Sequence, residues 1–581
     1  LTKADAAADS IPQKGVCRAL FDEWYIALSP KSYFNFIIQL KQPAMKRSCY
    51  VAIALLTTIA SYAQEGLPTD YLSKEFHAGR REALRKIMPS NSVAVIFAFP
   101  ARTFSNDVTY PYHPNPDLYY FSGYKEPNAV LLIFKEPQTA SGGGSYKELF
   151  FIQKRDPAAE QWTGRRLGVE KVKSELGFGQ VFNGGEFKNY PVDLSSFSHI
   201  LFAGLPADIT DDASDSADLY DLMQAFKKKA NLPEDYDAEV AGLVSQIAER
   251  ATMDNLPRIK NYLNKRKENS EKFGRNELIA AFMNVKDSVA LVDFKQKLSG
   301  QKWGTAEYTK AVYSLREIKT PEEMDLMRKT VSISSIAHAE TMRAIQPGMS
   351  EGELQGIQEY VHKKLGAEYV GYPSIVGAGA NGCILHYEEN AKTHVGKDLV
   401  LMDVGAEYHG YSADVTRTFP STGKFTPDQK VIYDLVYKAQ EEVFLLCHEG
   451  TPFSSLNKKA TEVLADGLLG LGIIRDKKDV VLYYPHGCSH FLGLDVHDAG
   501  NYDQALKENM VITVEPGIYI PSGSPCDKKW WDIGVRIEDD VRIGKGDYEL
   551  LSHLAPRKSE DVEKKIAEKS ALNDLVLPAL K

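Results

Sequence analysis

Residues 399–420 read LVLMDVGAEYHGYSADVTRTFP, two apolar strand-like runs that each carry an aspartate, Asp403 in the first and Asp414 in the second. Aspartate is depleted in strands, so a pair of them inside such runs demands a reason. The stretch Glu407-Tyr408-His409-Gly410 between the runs reads as a hairpin turn. A turn centred between Tyr408 and His409 makes Asp403 and Asp414 directly opposed partners, with Cβ atoms about 4.5–5.5 Å apart on one face. That spacing is repulsive for bare carboxylates and suits a pair of cations roughly 3.5–4 Å apart. A solvent-facing aspartate is the ordinary reading for either residue alone, but Val400-Leu401-Met402 and Val415 flank the pair with apolar side chains.

Three further polar clusters sit in apolar settings downstream. The segment His486-Gly-Cys-Ser-His490-Phe-Leu-Gly-Leu-Asp-Val-His497 holds three histidines, Val511-Ile-Thr-Val-Glu515 ends a strand on a glutamate, and Val535-Arg536-Ile-Glu538 carries another. In an extended strand Arg536 and Glu538 point to one side. Asp403, Asp414, Glu515 and Glu538 together supply the negative charge that balances two divalent cations, with neutral His490 as a further ligand and room for a bridging hydroxide. Hard oxygens and one imidazole, without thiolate, suit manganese, cobalt or zinc better than copper or a closed structural zinc site.

Helix-start signals frame the hairpin. Thr320-Pro321-Glu322-Glu323 is a capping box with proline at the first helical position. The same grammar recurs at Ser350–Glu353, after the Pro347-Gly348 turn, and at Thr426-Pro427-Asp428-Gln429, whose helix is expected to run to about Cys447. The carboxylates are therefore expected on a sheet covered by helices. Upstream, Tyr71, Leu72, Phe76, Leu84 and Ile87 have helical spacing, and strand-like runs follow at 92–99, 129–134, 148–153 and 199–203. That alternation predicts a small α/β domain. The polar stretch 208–304 reads as mostly helical, and its charges as a solvated face.

The chain has 581 residues, 43% hydrophobic and 25% charged, an ordinary globular composition long enough for two or more domains. A net charge of −9 leaves no basic field for nucleic acid. Met45-Lys46-Arg47, the apolar run from Tyr50 to Ala60 and Ser61-Tyr62-Ala63 read as a secretory signal over 45–63, giving a periplasmic or secreted protein that begins near Gln64. That run is too short to span a bilayer. Residues 1–44 are expected to be an over-extended translation start. Cys383, Cys447, Cys488 and Cys526 are too scattered for a disulfide framework, although one or two bridges stay open.

Read together, ILHYEEN, LVLMDVG, GYSADVTRTFP, GKFT, HGCSHFLGLDVHD, TVEPGIY and VRIEDD resemble the M24 metallopeptidases of pita-bread fold, and among them the Xaa-Pro aminopeptidases, from about Glu317 to Ile543. Pro116-Asp-Leu-Tyr-Tyr-Phe-Ser-Gly-Tyr124-Lys-Glu-Pro and Gly164-Arg-Arg-Leu-Gly168 are similar to the creatinase-type amino-terminal domain of that family. The likeness implies an α/β (α+β) chain: creatinase-type domain at 66–207, helical insert or linker at 208–311, metallopeptidase domain at 312–565 and a tail at 566–581. It implies a water bridging two ions, with Asp414 and Glu538 shared between them, Asp403 on one, and His490 with Glu515 on the other. Glu515 would take the proton of the attacking water. His386, His486, His497, Tyr502 and Arg536 match substrate-side positions, with His497 stabilising the oxyanion and His386 assisting proton transfer. The same likeness implies peptides with proline second as substrates and a homo-oligomer, dimer or tetramer.

The nearest alternative is a prolidase, which has the same fold and ligands but cleaves Xaa-Pro dipeptides. A methionine aminopeptidase would lack the large amino-terminal domain. A metal-free binding protein on this fold predicts lost ligands, and none is lost. A cysteine hydrolase built on Cys383 or Cys488 lacks a separate orienting acid.

Overall fold

The computed structural model describes residues 70–574 and 577, apart from 141, 207, 208 and 235. The expected upstream segment 1–44 and signal 45–63 lie outside the described residues. No helix among the described residues is long and apolar enough to cross a membrane.

A six-stranded mixed sheet forms the amino-terminal domain, in the order 181–183, 145–152, 130–139, 92–97, 199–202, 303–304. Val130–Thr139 runs antiparallel to both neighbours, and the remaining pairs are parallel. Every residue of Ser92–Phe97 is buried, as a strand covered on both faces requires. Alternate residues divide between two cores. Ala94 and Ile96 pack with helices Lys74–Ile87 and Pro116–Ser122, whereas Val93 and Val95 pack with helix Leu219–Ala230.

The expected boundaries at 207 and 311 need correction. Helix Leu219–Ala230 closes the second face of this sheet, and strand Trp303–Gly304 completes its edge beside His199–Phe202. What lies between is a helical subdomain rather than a linker, with its own core of Val244, Leu263, Ile279, Phe282 and Phe294. Helical periodicity reveals an apolar face but not which core that face meets.

In the second half, Thr320 and Glu323 form the capping box that starts the buried helix Pro321–Ala344. Thr426 and Gln429 likewise cap Pro427–Phe444, which ends three residues short of Cys447. Leu399–Val404 is the centre of a three-stranded antiparallel sheet, between Ile375–Ala378 and Val415–Pro420.

The hairpin register differs from the sequence expectation. Asp403 pairs with Thr416, and Tyr408 pairs with Tyr411, so the turn is centred between His409 and Gly410. Those two residues have φ of +52° and +85°, the paired positive values of a type I′ turn. Non-glycine residues seldom adopt that conformation, histidine being among the better tolerated. Here Glu368 accepts from the His409 backbone N–H at 2.7 Å and lies 2.7 Å from its Nδ1. The ladder is interrupted at Gly405, where a Cβ would sit 1.8 Å from the Ala413 carbonyl oxygen.

Candidate metal centre

With that register, Asp403 and Asp414 are diagonal neighbours on one sheet face instead of opposed partners. A third segment lies along the same edge: Glu538 N–H donates to Thr416 O at 3.1 Å and Thr418 Oγ1 donates to Arg536 O at 3.0 Å. This places the Glu538 side chain beside Asp414. Residues 488–490 pair with 513–515, through Thr513 N–H to His490 O at 2.9 Å and Glu515 N–H to Cys488 O at 2.8 Å. His490 and Glu515 thus reach the same point from a second sheet. His490 Nε2 lies 3.2 Å from Asp414 Oδ2 and 3.6 Å from Glu515 Oε1. Ligand atoms of Asp414, His490 and Glu538 all fall within 4.8 Å of one another. All five side chains line one cleft of about 1040 Å³, together with His386, His486, His497, Tyr502 and Arg536.

The electrostatics favour a cation. Burial, with Asp414 and Glu515 alongside, pushes the Glu538 carboxyl well above the usual range. Burial raises Glu515 to about 7. His490, which burial alone would lower, is held up at about 9 by its hydrogen bond to Asp414. Asp540 is fully buried; its Oδ2 accepts from the Asp414 N–H at 3.1 Å, while its Oδ1 has no partner. Tyr372 Oη lies 2.5 Å from Asp403 Oδ1 and 2.6 Å from Asp414 Oδ1. A phenol has one proton and serves one carboxylate at a time. Such crowding of buried acids fits hard divalent cations, and the oxygen-rich donor set suits them.

Arg536 is 3% exposed, and three of its five N–H donors are engaged: Nε with Thr416 Oγ1 at 3.2 Å, one terminal nitrogen with Tyr519 Oη at 2.8 Å, the other with Asp403 Oδ2 at 2.7 Å. It braces Asp403 and at the same time lines the cleft. Thr416 Oγ1 in turn donates to Glu538 Oε2 at 2.6 Å. His486 Nε2 lies 2.8 Å from Tyr519 Oη, and its Nδ1 is 3.6 Å from Glu515 Oε2. The His497 ring meets His490 edge-on, centroids 4.4 Å apart. Burial lowers the pKa of His497 and holds His486 at about 4, so both are neutral at pH 7. Tyr502 stands 40% exposed at the rim, and its hydroxyl accepts from the Phe491 N–H at 3.4 Å.

The loop that carries His490 and His497 is anchored from outside its own sheet. Arg316, buried at the end of helix Thr305–Arg316, binds Asp495 at 2.7 Å, Asp498, and Asp117 of the amino-terminal domain at 2.7 Å. Lys319 Nζ adds a 2.7 Å contact to Asp498. None of these anchors, nor Tyr372, Thr416 or Asp540, was singled out in sequence. The alternation of Asp414, Thr416 and Thr418 on one face is a signal that finds Thr416. Tyr372 has no comparable signal, because its reach depends on where the 369–375 segment folds. All four described cysteines are free thiols, and burial pushes both Cys383 and Cys488 up to about 12. A thiolate nucleophile is thereby disfavoured.

The profile of Metallopeptidase family M24 matches residues 325–545, and that of Aminopeptidase P, N-terminal domain, matches 77–199. The chain belongs to metallopeptidase family M24, a family of dinuclear metal enzymes, in the branch that carries the aminopeptidase P amino-terminal domain. It is 33% identical over 503 residues to the Xaa-Pro aminopeptidase of Escherichia coli (strain K12), covering 85% of this chain and 97% of that protein. Intermediate cleaving peptidase 55, mitochondrial, of Arabidopsis thaliana is 28% identical over 501 residues, covering 86% and 84%. Aminopeptidase P from E. coli, solved with the inhibitor Pro-Leu, superposes with a TM-score of 0.66 at 30% identity, covering 85% and 98%. The architecture is the α/β pita-bread fold behind a smaller amino-terminal domain.

Proposed function

We propose that this chain is a metal-dependent aminopeptidase that releases the first residue of peptides with proline second. The observation that carries the reading is the convergence of Asp403, Asp414, His490, Glu515 and Glu538 on one cleft, in a chain related over most of its length to Xaa-Pro aminopeptidases. Those five residues would hold two divalent cations, manganese in the first instance, with cobalt or zinc as substitutes. Bound there, such ions lower the pKa of water and polarise a peptide carbonyl.

The protein's own groups supply the rest. Glu515 accepts a proton at its carboxylate and returns it to the leaving nitrogen. Neutral His497 donates its ring N–H to the oxygen on which negative charge develops, and His386 faces the same cleft. The acidic floor favours the free amine of the substrate and so limits attack to the first peptide bond. Ile384, Leu385 and Val496 give the cleft an apolar wall against which a proline ring can rest. Proline, with no N–H and a fixed φ, makes a distinctive leaving residue.

Substrate length separates an aminopeptidase from a prolidase, and it is tested directly. Three of the five N–H donors of Arg536 are engaged with Thr416, Tyr519 and Asp403, which makes this residue first of all a support for Asp403. Manganese-loaded protein is offered Ala-Pro, Ala-Pro-Ala-Ala and Ala-Ala-Ala-Ala, and free alanine is measured. Fast release from the second peptide alone supports the reading, whereas release confined to Ala-Pro makes the enzyme a prolidase. Metal analysis after manganese dialysis is expected to give about two ions per chain. We further infer export through the segment 45–63 to a periplasmic or extracellular site and a dimer or tetramer. Amino-terminal sequencing of exported protein and sedimentation equilibrium test these two inferences.

A further inference from the structure

Two further cavities follow the metal cleft toward the amino-terminal domain, each sharing a wall with the one before. Val496 and His497 line both the cleft and a cavity of about 250 Å³ bounded by Glu407, Ser412 and His113. His113 also borders a third cavity of about 470 Å³, walled by Phe99, Pro100, Arg102, Tyr110, Pro111, Tyr112 and Pro206. The junction is held in place: His113 Nε2 lies 2.7 Å from Glu407 Oε2, and Tyr369 Oη donates to Tyr112 O at 3.2 Å. Beyond it the short hairpin Thr103–Ser105 and Val108–Thr109 exposes a cluster of apolar side chains, with Phe104 64% and Tyr110 52% exposed and their rings packed edge to face at 4.9 Å.

We propose that this run of cavities is a distal substrate subsite, which binds the part of the peptide beyond its proline in an extended, polyproline-II conformation. The proposal rests on the aminopeptidase reading, because only an exopeptidase that leaves the far side of the cleft open sends its substrate this way. The walls shared with the cleft, Val496 and His497 and then His113, point to the substrate's own downstream chain as the occupant. The chemistry of the wall identifies its character. Aromatic rings interleaved with prolines make a surface of ridges and shallow slots that accepts a stiff left-handed helix, as aromatic-lined grooves for proline-rich segments do. A polyproline-II chain has its backbone fully solvated and needs no ladder partner. The favoured substrates are therefore peptides whose residues after the second position are rich in proline and apolar side chains.

The test compares three substrates of the manganese-loaded full chain: Ala-Pro-Ala, the proline-rich Ala-Pro-Ala-Pro-Pro-Leu-Pro, and the length-matched Ala-Pro-Ala-Gly-Ser-Gly-Ser. The long proline-rich peptide is expected to exceed its matched control in kcat/KM by about tenfold, the effect of two or three aromatic contacts. In a Phe99→Ser, Tyr110→Ser double variant that advantage falls to about twofold or less, while Ala-Pro-Ala is turned over as before. Both positions are substantially exposed, so the variant is expected to melt at the wild-type temperature. No advantage in the wild type, or an advantage that survives in the variant, overturns the subsite. An advantage that survives while the variant changes its sedimentation mass assigns this face to a second copy of the chain, which also overturns it. Failure to cleave any of the three peptides refutes the aminopeptidase reading instead. In that event fluorescence anisotropy with labelled Ala-Pro-Ala-Pro-Pro-Leu-Pro judges the groove separately: the variant must bind about tenfold more weakly, and equal binding overturns the subsite.

Discussion

Replacing Arg316 by leucine removes a cation that joins the histidine loop to the amino-terminal domain. The guanidinium serves Asp117, Asp495 and Asp498, whose carboxylates would be left behind. Breaking a buried ion pair from one side costs about 3–5 kcal/mol, because an uncompensated charge remains in a dry site. Three features put this case at the lower end, about 3 kcal/mol. Asp498 keeps Lys319 at 2.7 Å, Asp117 keeps the Tyr308 hydroxyl at 2.9 Å, and the Asp495 side chain is 47% exposed and can hydrate. A domain stability of about 5–15 kcal/mol survives such a loss, so the effect is local release of the loop and not global unfolding. About 3 kcal/mol corresponds to roughly a hundredfold in an opening equilibrium. The Gly493 and Asp498 amides, bonded to Asp495 O at 3.1 Å and Phe491 O at 2.9 Å, report it directly. Hydrogen exchange at those amides is expected to accelerate about a hundredfold, with kcat for Ala-Pro-Ala-Ala falling as His497 loses its position. Arg316→Lys, which keeps the charge but not the planar fork, is expected to lie between. Unchanged exchange in Arg316→Leu would refute the anchoring role.

Gly405→Ala drives a Cβ into the Ala413 carbonyl, so the strands bearing Asp403 and Asp414 must part; loss of manganese binding by calorimetry is expected, and retained stoichiometry contradicts it. In ion-free protein Glu515 near 7 and His490 near 9 both lie above their ordinary values of 4.5 and 6.5, so the folded state binds more protons than the unfolded state between these limits. Thermal stability of the ion-free protein is therefore expected to fall as pH rises from about 5 to 9 and to recover on adding manganese; a flat profile disproves the coupling. Glu515→Gln is expected to abolish turnover and weaken metal binding. Cys488→Ala keeps most activity, since the buried thiol has no part in the chemistry; an inactive Cys488→Ala protein that still binds manganese would restore the cysteine hydrolase.

Much of the site could be read from local chemistry. Charged residues inside apolar runs are conspicuous because the backbone pattern predicts their absence, and this marked Asp403, Asp414, Glu515 and Glu538. Capping signals at Thr320 and Thr426 are equally local, depending on three or four adjacent residues, and they started their helices where expected. The turn was misplaced by one residue because His409 is an unusual occupant of a position with positive φ. Its conformation is supported by Glu368, forty-one residues earlier in sequence.

Composition and pattern by themselves determined that this chain is a multi-domain α/β protein with an acidic, histidine-bearing catalytic half, since burial and charge leave their periodicity in the residues. The tertiary structure alone decided what those residues touch. It turned Arg536 inward against Asp403, brought Tyr372 within reach of both aspartates, and attached helix Leu219–Ala230 to a sheet that begins more than a hundred residues before it. It also set the loop around His497 against Arg316. Each of these depends on which surfaces meet when separate elements pack. Side-chain reach is only a few ångströms, so a displacement of one residue in register or one turn of helix changes every partner.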